Sequence, residues 1–166
     1  MKLLPPLRPP GAGSESRFLS LCIRCGKCLQ ACPHDSLKLI SGFGRSRHTP
    51  ALFPEDKPCE LCMKCGDACP TGALAQGIEK EKAAMGKAYI LASACHNHTN
   101  GPMCWTCYDR CPLRGQAMSL AGGLTPAVGS ACVGCGVCAY VCPQNAIVIV
   151  PTGSDYIPPN AAPQAT

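Results

Sequence analysis

The sequence predicts a small α+β protein of two modules, mostly loop, with short strands and helices and extended Pro-rich ends. Three observations predict it. All 16 cysteines of the 166 residues fall into four sets of four, with none left over. Short apolar runs of strand character, at residues 37–40, 87–91 and 146–150, adjoin the sets. The apolar fraction of 46% is inflated by cysteine, and little Leu, Ile, Val and Phe remains for a conventional core. Bound metal is therefore expected to take the place of that core, its binding energy becoming folding energy.

The first set defines the chemistry. Cys22, Cys25, Cys28 and Cys32, followed by Pro33, have the spacing C-x2-C-x2-C-x3-C-P. That is the bacterial ferredoxin run, which holds [4Fe–4S] clusters through thiolates. Three cysteines three residues apart wrap one face of a cube. The fourth points away and can reach a second cube. Gly26 eases the turn, and Pro33 closes the loop without a donor. The second set is Cys59, Cys62, Cys65 and Cys69, then Pro70. The fourth is Cys132, Cys135, Cys138 and Cys142, then Pro143. The third is stretched: Cys95, then eight residues, then Cys104, Cys107 and Cys111, then Pro112. Four sets imply four [4Fe–4S] clusters with all 16 cysteines as ligands.

Other uses of so much cysteine fit less well. Disulfides belong to oxidising compartments. The first residues, Met1-Lys-Leu-Leu-Pro-Pro, show no apolar signal core and no paired arginines. A cytoplasmic protein is expected on that ground. Zinc modules use two Cys pairs across a longer spacer, not four cysteines in one run closed by Pro. The formal charge of +5 counts every cysteine as neutral. Four thiolate-ligated clusters add about −8, which leaves the oxidised holoprotein near −3. The basic composition therefore does not point to nucleic acid, and eight aromatics are too few for a stacking platform. No apolar run approaches the roughly 20 residues needed to span a bilayer.

Taken in order, residues 1–16 are a Pro-rich arm, either free or laid along a partner through Leu3, Leu4 and Leu7. Residues 35–40 read as a turn and a strand with Leu37 and Leu39 on one face. A connection follows, with a short strand near residues 51–53. Residues 78–85 favour a short helix. Residues 87–91 and 146–150 read as strands. The insertion around His96 and His98 reads as a loop, and Trp105 and Tyr108 as shields for a cluster. Lys27, Lys64, Arg24 and Arg110 lie inside the cysteine runs, as surface charge or as groups facing an acidic partner. Residues 151–166 return to Pro-rich composition. No nucleotide-binding glycine motif, catalytic triad order or paired carboxylates suggest substrate chemistry, so a non-catalytic electron carrier is expected.

The chain resembles four-cluster polyferredoxins of the NapG/MauM type. The likeness runs from Leu7-Arg-Pro-Pro-Gly-Ala through Cys22-Ile-Arg-Cys-Gly-Lys-Cys to the stretched third set with Cys-Tyr-Asp-Arg-Cys-Pro-Leu-Arg-Gly and the last Cys-Pro. That type is similar to exported proteins with a twin-arginine signal, which residues 1–16 do not display. The resemblance thus implies a cytoplasmic relative, such as the iron–sulfur electron-transfer subunit of a tungsten-dependent aldehyde oxidoreductase. Its implied partners are a catalytic subunit of the metal–pterin type and a flavoprotein or second polyferredoxin copy. A maturation factor for a redox enzyme and a free soluble polyferredoxin are the competing readings.

The resemblance also implies nested pairing, the first set with the fourth and the second with the third. The ligand sets would be Cys22, Cys25, Cys28 and Cys142; Cys59, Cys62, Cys65 and Cys111; Cys95, Cys104, Cys107 and Cys69; and Cys132, Cys135, Cys138 and Cys32. The modules would then be residues 17–57 with 127–150, and residues 58–126. Spacing alone leaves sequential pairing open.

Overall fold

The computed structural model describes residues 4–165. Five short helices and six short strands alternate along the chain: α1 (Glu15–Leu21), α2 (Lys27–Gln30), β1 (Leu37–Leu39), β2 (Pro50–Leu52), α3 (Lys64–Asp67), β3 (Gly86–Ile90), α4 (Thr106–Asp109), β4 (Met118–Ala121), β5 (Thr125–Val128), α5 (Val137–Tyr140) and β6 (Ile147–Pro151). Single 3-10 turns lie at Lys80–Lys82 and His96–His98. The first of these is all that forms where a short helix is expected at 78–85. The strands make three antiparallel pairs: β1 with β2, β3 with β6, and β4 with β5. Leu37 stands opposite Leu52, Ala88 opposite Ile149, and Met118 opposite Val128.

The cysteine runs are local structures with one repeated plan. In each, the third cysteine is the second residue of a one-turn helix: Cys28 in α2, Cys65 in α3, Cys107 in α4, Cys138 in α5. The fourth follows two residues after the helix ends, its N–H donating back to the last turn. Runs one, two and four place left-handed residues around the second cysteine: Arg24 and Gly26, Leu61 and Met63, Gly134 and Gly136. Such alternation turns successive N–H groups inward into an anion-binding concavity. Arg24, Leu61 and Met63 accept this conformation despite their side chains, at a cost of about 1–2 kcal/mol each.

The helices then settle the architecture. α2 packs on α3, and α4 on α5. Runs one and two therefore form one module and runs three and four the other. This corrects the nested expectation: residues 127–150 join the third run, not residues 17–57. The first module buries Phe18, Leu37, Leu52, Leu61, Leu74 and Met85. The second buries Ala88, Ile90, Met118, Val128 and Ile147. Leu39 does not share the burial of Leu37; it is exposed.

The Pro-rich arm is part of the first module. Leu7, Arg8, Pro9, Pro10 and Ala12 are buried. Leu7 thus anchors the arm to this chain's own core rather than to a partner; Leu4 is exposed, and Leu3 lies outside the described residues. Arg8 is the tie. Its Nε and Nη2 donate to the Glu15 carboxylate at 2.7 and 2.6 Å, and its Nη1 donates to Thr49 Oγ1 and the Pro50 carbonyl, both at 2.8 Å. The guanidinium lies 4.5 Å from the centre of the Phe18 ring. These bonds hold the Glu15 carboxyl below the usual carboxylate range. At the other end, Ala92 N–H donates to Asn160, Ala162 N–H to Ile90 and Ala165 N–H to Val128, so the tail lies along the second module.

The two modules meet backbone to backbone. Val133 O accepts from Met85 and Gly86, and Cys59 N–H donates to Cys135 O at 2.9 Å. A Cβ on Gly134 would lie 2.5 Å from Gly86 C, and one on Gly136 would lie 2.5 Å from Pro54 Cβ. Gly26 and Gly134 share the same φ of +74°, yet nothing lies within 4 Å of a Cβ on Gly26. The pair therefore separates backbone strain from steric conflict. Gly26→Ala is expected to cost about 1 kcal/mol from the left-handed backbone alone. Gly134→Ala is expected to cost roughly 2 kcal/mol more, because the seam between the modules must open. Thermal unfolding of the two cluster-loaded variants checks the difference.

Candidate metal centres

Each run carries its first three cysteines on one loop, and the fourth position of each site comes from the neighbouring run. The first hollow is lined by Cys22, Cys25, Cys28 and Cys69, with Phe18, Ile23, Leu39, Pro50 and Leu74 around them. A second is lined by Cys111, Cys132, Cys135 and Cys138, with Leu113, Met118, Val133 and Ile149. A third is lined by Cys95, Cys104, Cys107 and Cys142, with Ile90, Pro126 and Ile147. The remaining thiols also assemble: Cys65 lies in the fields of Cys62 and Cys32, and Cys59 in those of Cys65 and Cys62. Fourth cysteines are thus exchanged reciprocally between runs one and two, and between runs three and four.

This corrects all four nested ligand sets. Cys69, not Cys142, completes the first run. Cys32, not Cys111, adjoins the second. Cys142, not Cys69, completes the third, and Cys111, not Cys32, the fourth. The reason lies in the helix pairs. A fourth cysteine leaves its own helix two residues past the end, so it reaches the loop of whichever run that helix packs against.

The four sites adjoin one another in order. Cys65 feels Cys28 of the first site as well as its own neighbours. Cys59 feels Cys135 across the seam between the modules. Cys138 feels both Cys107 and Cys111. The order is therefore site I (Cys22, Cys25, Cys28, Cys69), site II (Cys59, Cys62, Cys65, Cys32), site III (Cys132, Cys135, Cys138, Cys111) and site IV (Cys95, Cys104, Cys107, Cys142). Cys25 and Cys62 are exposed; Cys59, Cys65, Cys69, Cys107 and Cys138 are buried.

Burial pushes the Cys59, Cys65 and Cys107 thiols up to about 12, and Cys28 and Cys135 up to about 11. Cys111 and Cys138 are raised by the same cause, with neighbouring thiols adding to it. Cys69 goes the other way. Burial raises it, but backbone N–H groups of Leu74, Thr71 and Ala73 and the Thr71 hydroxyl together pull it below its ordinary value. Similar donors serve other sulfurs: Ala88 N–H to Cys132 Sγ at 3.4 Å, and Ala146 N–H to Cys142 Sγ at 3.3 Å. Donors of this kind favour a charged, metal-bound sulfur.

The donor chemistry fits [4Fe–4S] clusters. Sites I, III and IV are each four thiols against mainly apolar walls. Among the described residues, no three His, Cys, Asp or Glu side chains converge closely enough to grip a single metal ion. The thiols are spread around hollows instead, as a cluster requires. His96, in the insertion of the third run, lines the hollow of site IV. His98 buries an Nε2 that has no hydrogen-bond partner. Trp105 stays exposed and donates from Nε1 to the Leu124 carbonyl, while Tyr108 is half-buried with Arg114 over its ring.

Comparison with known proteins agrees with the grouping of runs one and two. Residues 21–73 match the 4Fe-4S dicluster domain, a span that holds runs one and two together. Residues 129–148 match the 4Fe-4S binding domain. The ferredoxin-type protein NapG of Escherichia coli is 41% identical over 162 residues, covering 87% of this chain and 70% of that protein. The methylamine utilization ferredoxin-type protein MauM of Methylorubrum extorquens is 39% identical over 160 residues, covering 87% and 72%. The chain belongs to the NapG/MauM family of ferredoxin-type proteins. The ferredoxin-type protein NapF of Escherichia coli is also similar, at 31% identity over 144 residues. As a NapG/MauM protein the chain is a carrier of 4Fe-4S clusters, and its four cysteine sets accommodate four.

Two variants test the sites. Cys69→Ser is expected to alter the electron paramagnetic resonance signal of the cluster at the first run and to leave that at site IV intact; Cys142→Ser is expected to do the reverse. Nested ligation would exchange these outcomes.

Proposed function

We propose that this chain is the non-catalytic electron-transfer subunit of an oxidoreductase complex, relaying electrons along its four sites between a catalytic subunit and a second redox partner. The observation that carries this reading is the order of the sites. Each bound [4Fe–4S] cluster supplies one-electron chemistry. The order supports it: site I adjoins site II, site II adjoins site III through Cys59 and Cys135, and site III adjoins site IV. A soluble carrier needs one or two such sites. Four in sequence suit transfer across a distance between fixed donors and acceptors. The names of the relatives, ferredoxin-type proteins, support the same chemistry. The residues proposed as ligands are the 16 cysteines in the four sets given above.

The partner we favour on one side is a metal–pterin oxidoreductase, with a tungsten-dependent aldehyde oxidoreductase as the leading case. On the other we favour a flavoprotein or a second polyferredoxin. Isolation of the native complex without oxygen tests the assignment. About sixteen iron and sixteen acid-labile sulfide are expected per chain. An aldehyde is expected to reduce all four clusters in the intact complex and none in the separated chain. A chain that runs as a lone monomer and exchanges electrons freely with diffusing carriers would instead be a free polyferredoxin.

A further inference from the structure

The first site in the order carries a surface that the relay itself does not require. Site I has the exposed Cys25, and beside it Ile23 and Leu39 line the hollow while remaining exposed, Ile23 at 63%. The connection from β1 to β2 ends in Phe43, which is 99% exposed. Gly42 and Gly44, both at φ near +100°, hold Phe43 out at the tip. This loop is fastened to the first cysteine run. Arg24 Nε donates to the Arg47 carbonyl at 3.1 Å, and Arg24 Nη2 to the Arg45 carbonyl at 3.0 Å. Spending a guanidinium on two loop carbonyls keeps Phe43, Arg45 and Arg47 beside site I.

The charge of this face is one-sided. Residues 36–54 contain no Asp or Glu, and neither do residues 22–34. Among the described residues, the ion pairs use Arg8, Lys38, Lys57, Lys80, Lys82 and Arg114; Arg24, Lys27, Arg45 and Arg47 are in none of them. The asymmetry extends to the modules. Residues 1–85 hold twelve Lys and Arg against eight Asp and Glu, and residues 86–166 three against two, so with two clusters of about −2 in each half the first is near 0 and the second near −3. Exposed Ile23 and Leu39 at the hollow, an exposed Phe43 on the loop tied to Arg24, and arginines outside every ion pair among the described residues together make the surface of a docking site.

We propose that the face formed by Ile23, Arg24, Leu39, Phe43, Arg45 and Arg47 docks a redox protein whose own redox centre is ringed by acidic residues. This rests on the relay reading and assigns site I as the port at which that partner exchanges electrons. The arginines steer and orient the acidic rim, a contact that salt weakens. Ile23, beside Cys25 in the hollow, and Phe43 on the loop provide the apolar contacts. A partner with a basic face would be repelled.

The test uses the full cluster-loaded chain without oxygen, with a flavodoxin of acidic surface as probe and basic cytochrome c as comparator. Calorimetry gives binding of the oxidised proteins, and stopped-flow absorbance gives electron transfer from the reduced chain. The wild type is expected to bind flavodoxin and not cytochrome c, with affinity falling about tenfold or more from low to high salt. The pair Arg45→Glu and Arg47→Glu is expected to weaken binding about tenfold or more, and Phe43→Ser severalfold. Iron content and reduction by methyl viologen should stay unchanged. Salt-independent flavodoxin binding by the wild type would overturn the proposal, even if the variants failed to load clusters. So would preference for cytochrome c, or variants that bind flavodoxin as the wild type does. Variants that lose affinity for phosphatidylserine vesicles but not for flavodoxin would overturn it in favour of a membrane surface. Failure of the wild type to exchange electrons with methyl viologen would sink the relay reading, and calorimetry would still decide the docking face.

Discussion

Everything in this molecule depends on the exchange of fourth cysteines between helices that pack against each other. A one-turn helix is too short to be stable in isolation. Here four of them persist because each carries one sulfur of its own site in its first turn and leads, two residues past its end, to a sulfur of the neighbouring site. Neither site of a pair can be completed without the other. The pairing of α2 with α3 and of α4 with α5 thus follows from ligation as much as from hydrocarbon contact. The rest of the chain braces these two pairs: the arm through Arg8, the tail through residues 160–165.

Charge is the counterweight. Of the sixteen thiols, burial pushes seven up before any neighbour is counted. A cluster-binding fold must reverse that preference. The means are local: N–H groups turned inward by left-handed residues, and backbone donors to sulfur such as Leu74 N–H to Cys69. The strain held in Arg24, Leu61 and Met63 is part of the same device, because the backbone must bend to aim those donors.

Much of this was legible in the sequence, and the limits are instructive. The four runs are visible because cluster geometry dictates spacing. The strands at 50–52, 86–90 and 147–151 lie within a residue or so of where alternation and β-branching place them. The partners of the runs were not legible, because the runs share nearly the same spacing and nothing in it says which loop a fourth cysteine meets. Similarity to relatives pointed to nested modules, and the packing of α2 on α3 overruled it. The buried arm was missed for another reason. Its Pro-rich composition matches a free chain, and the groups that capture Arg8 lie at Glu15, Thr49 and Pro50, up to 42 residues away. The hairpin of β4 and β5 did leave a signal, Gly122-Gly123 between two apolar runs, that the reading passed over.

Reciprocal exchange between runs that are neighbours in sequence has a consequence for synthesis. All eight cysteines of sites I and II precede residue 70, and the strand pair and arm that brace them precede residue 86. That half needs no strand from the second module to close its ligand sets. A nested arrangement would have kept the first run waiting for the last. As built, the amino-terminal pair of sites can be filled while the remainder of the polypeptide is still on the ribosome. Its thiols are thereby withdrawn early from oxidation and from mispairing with the eight that emerge later.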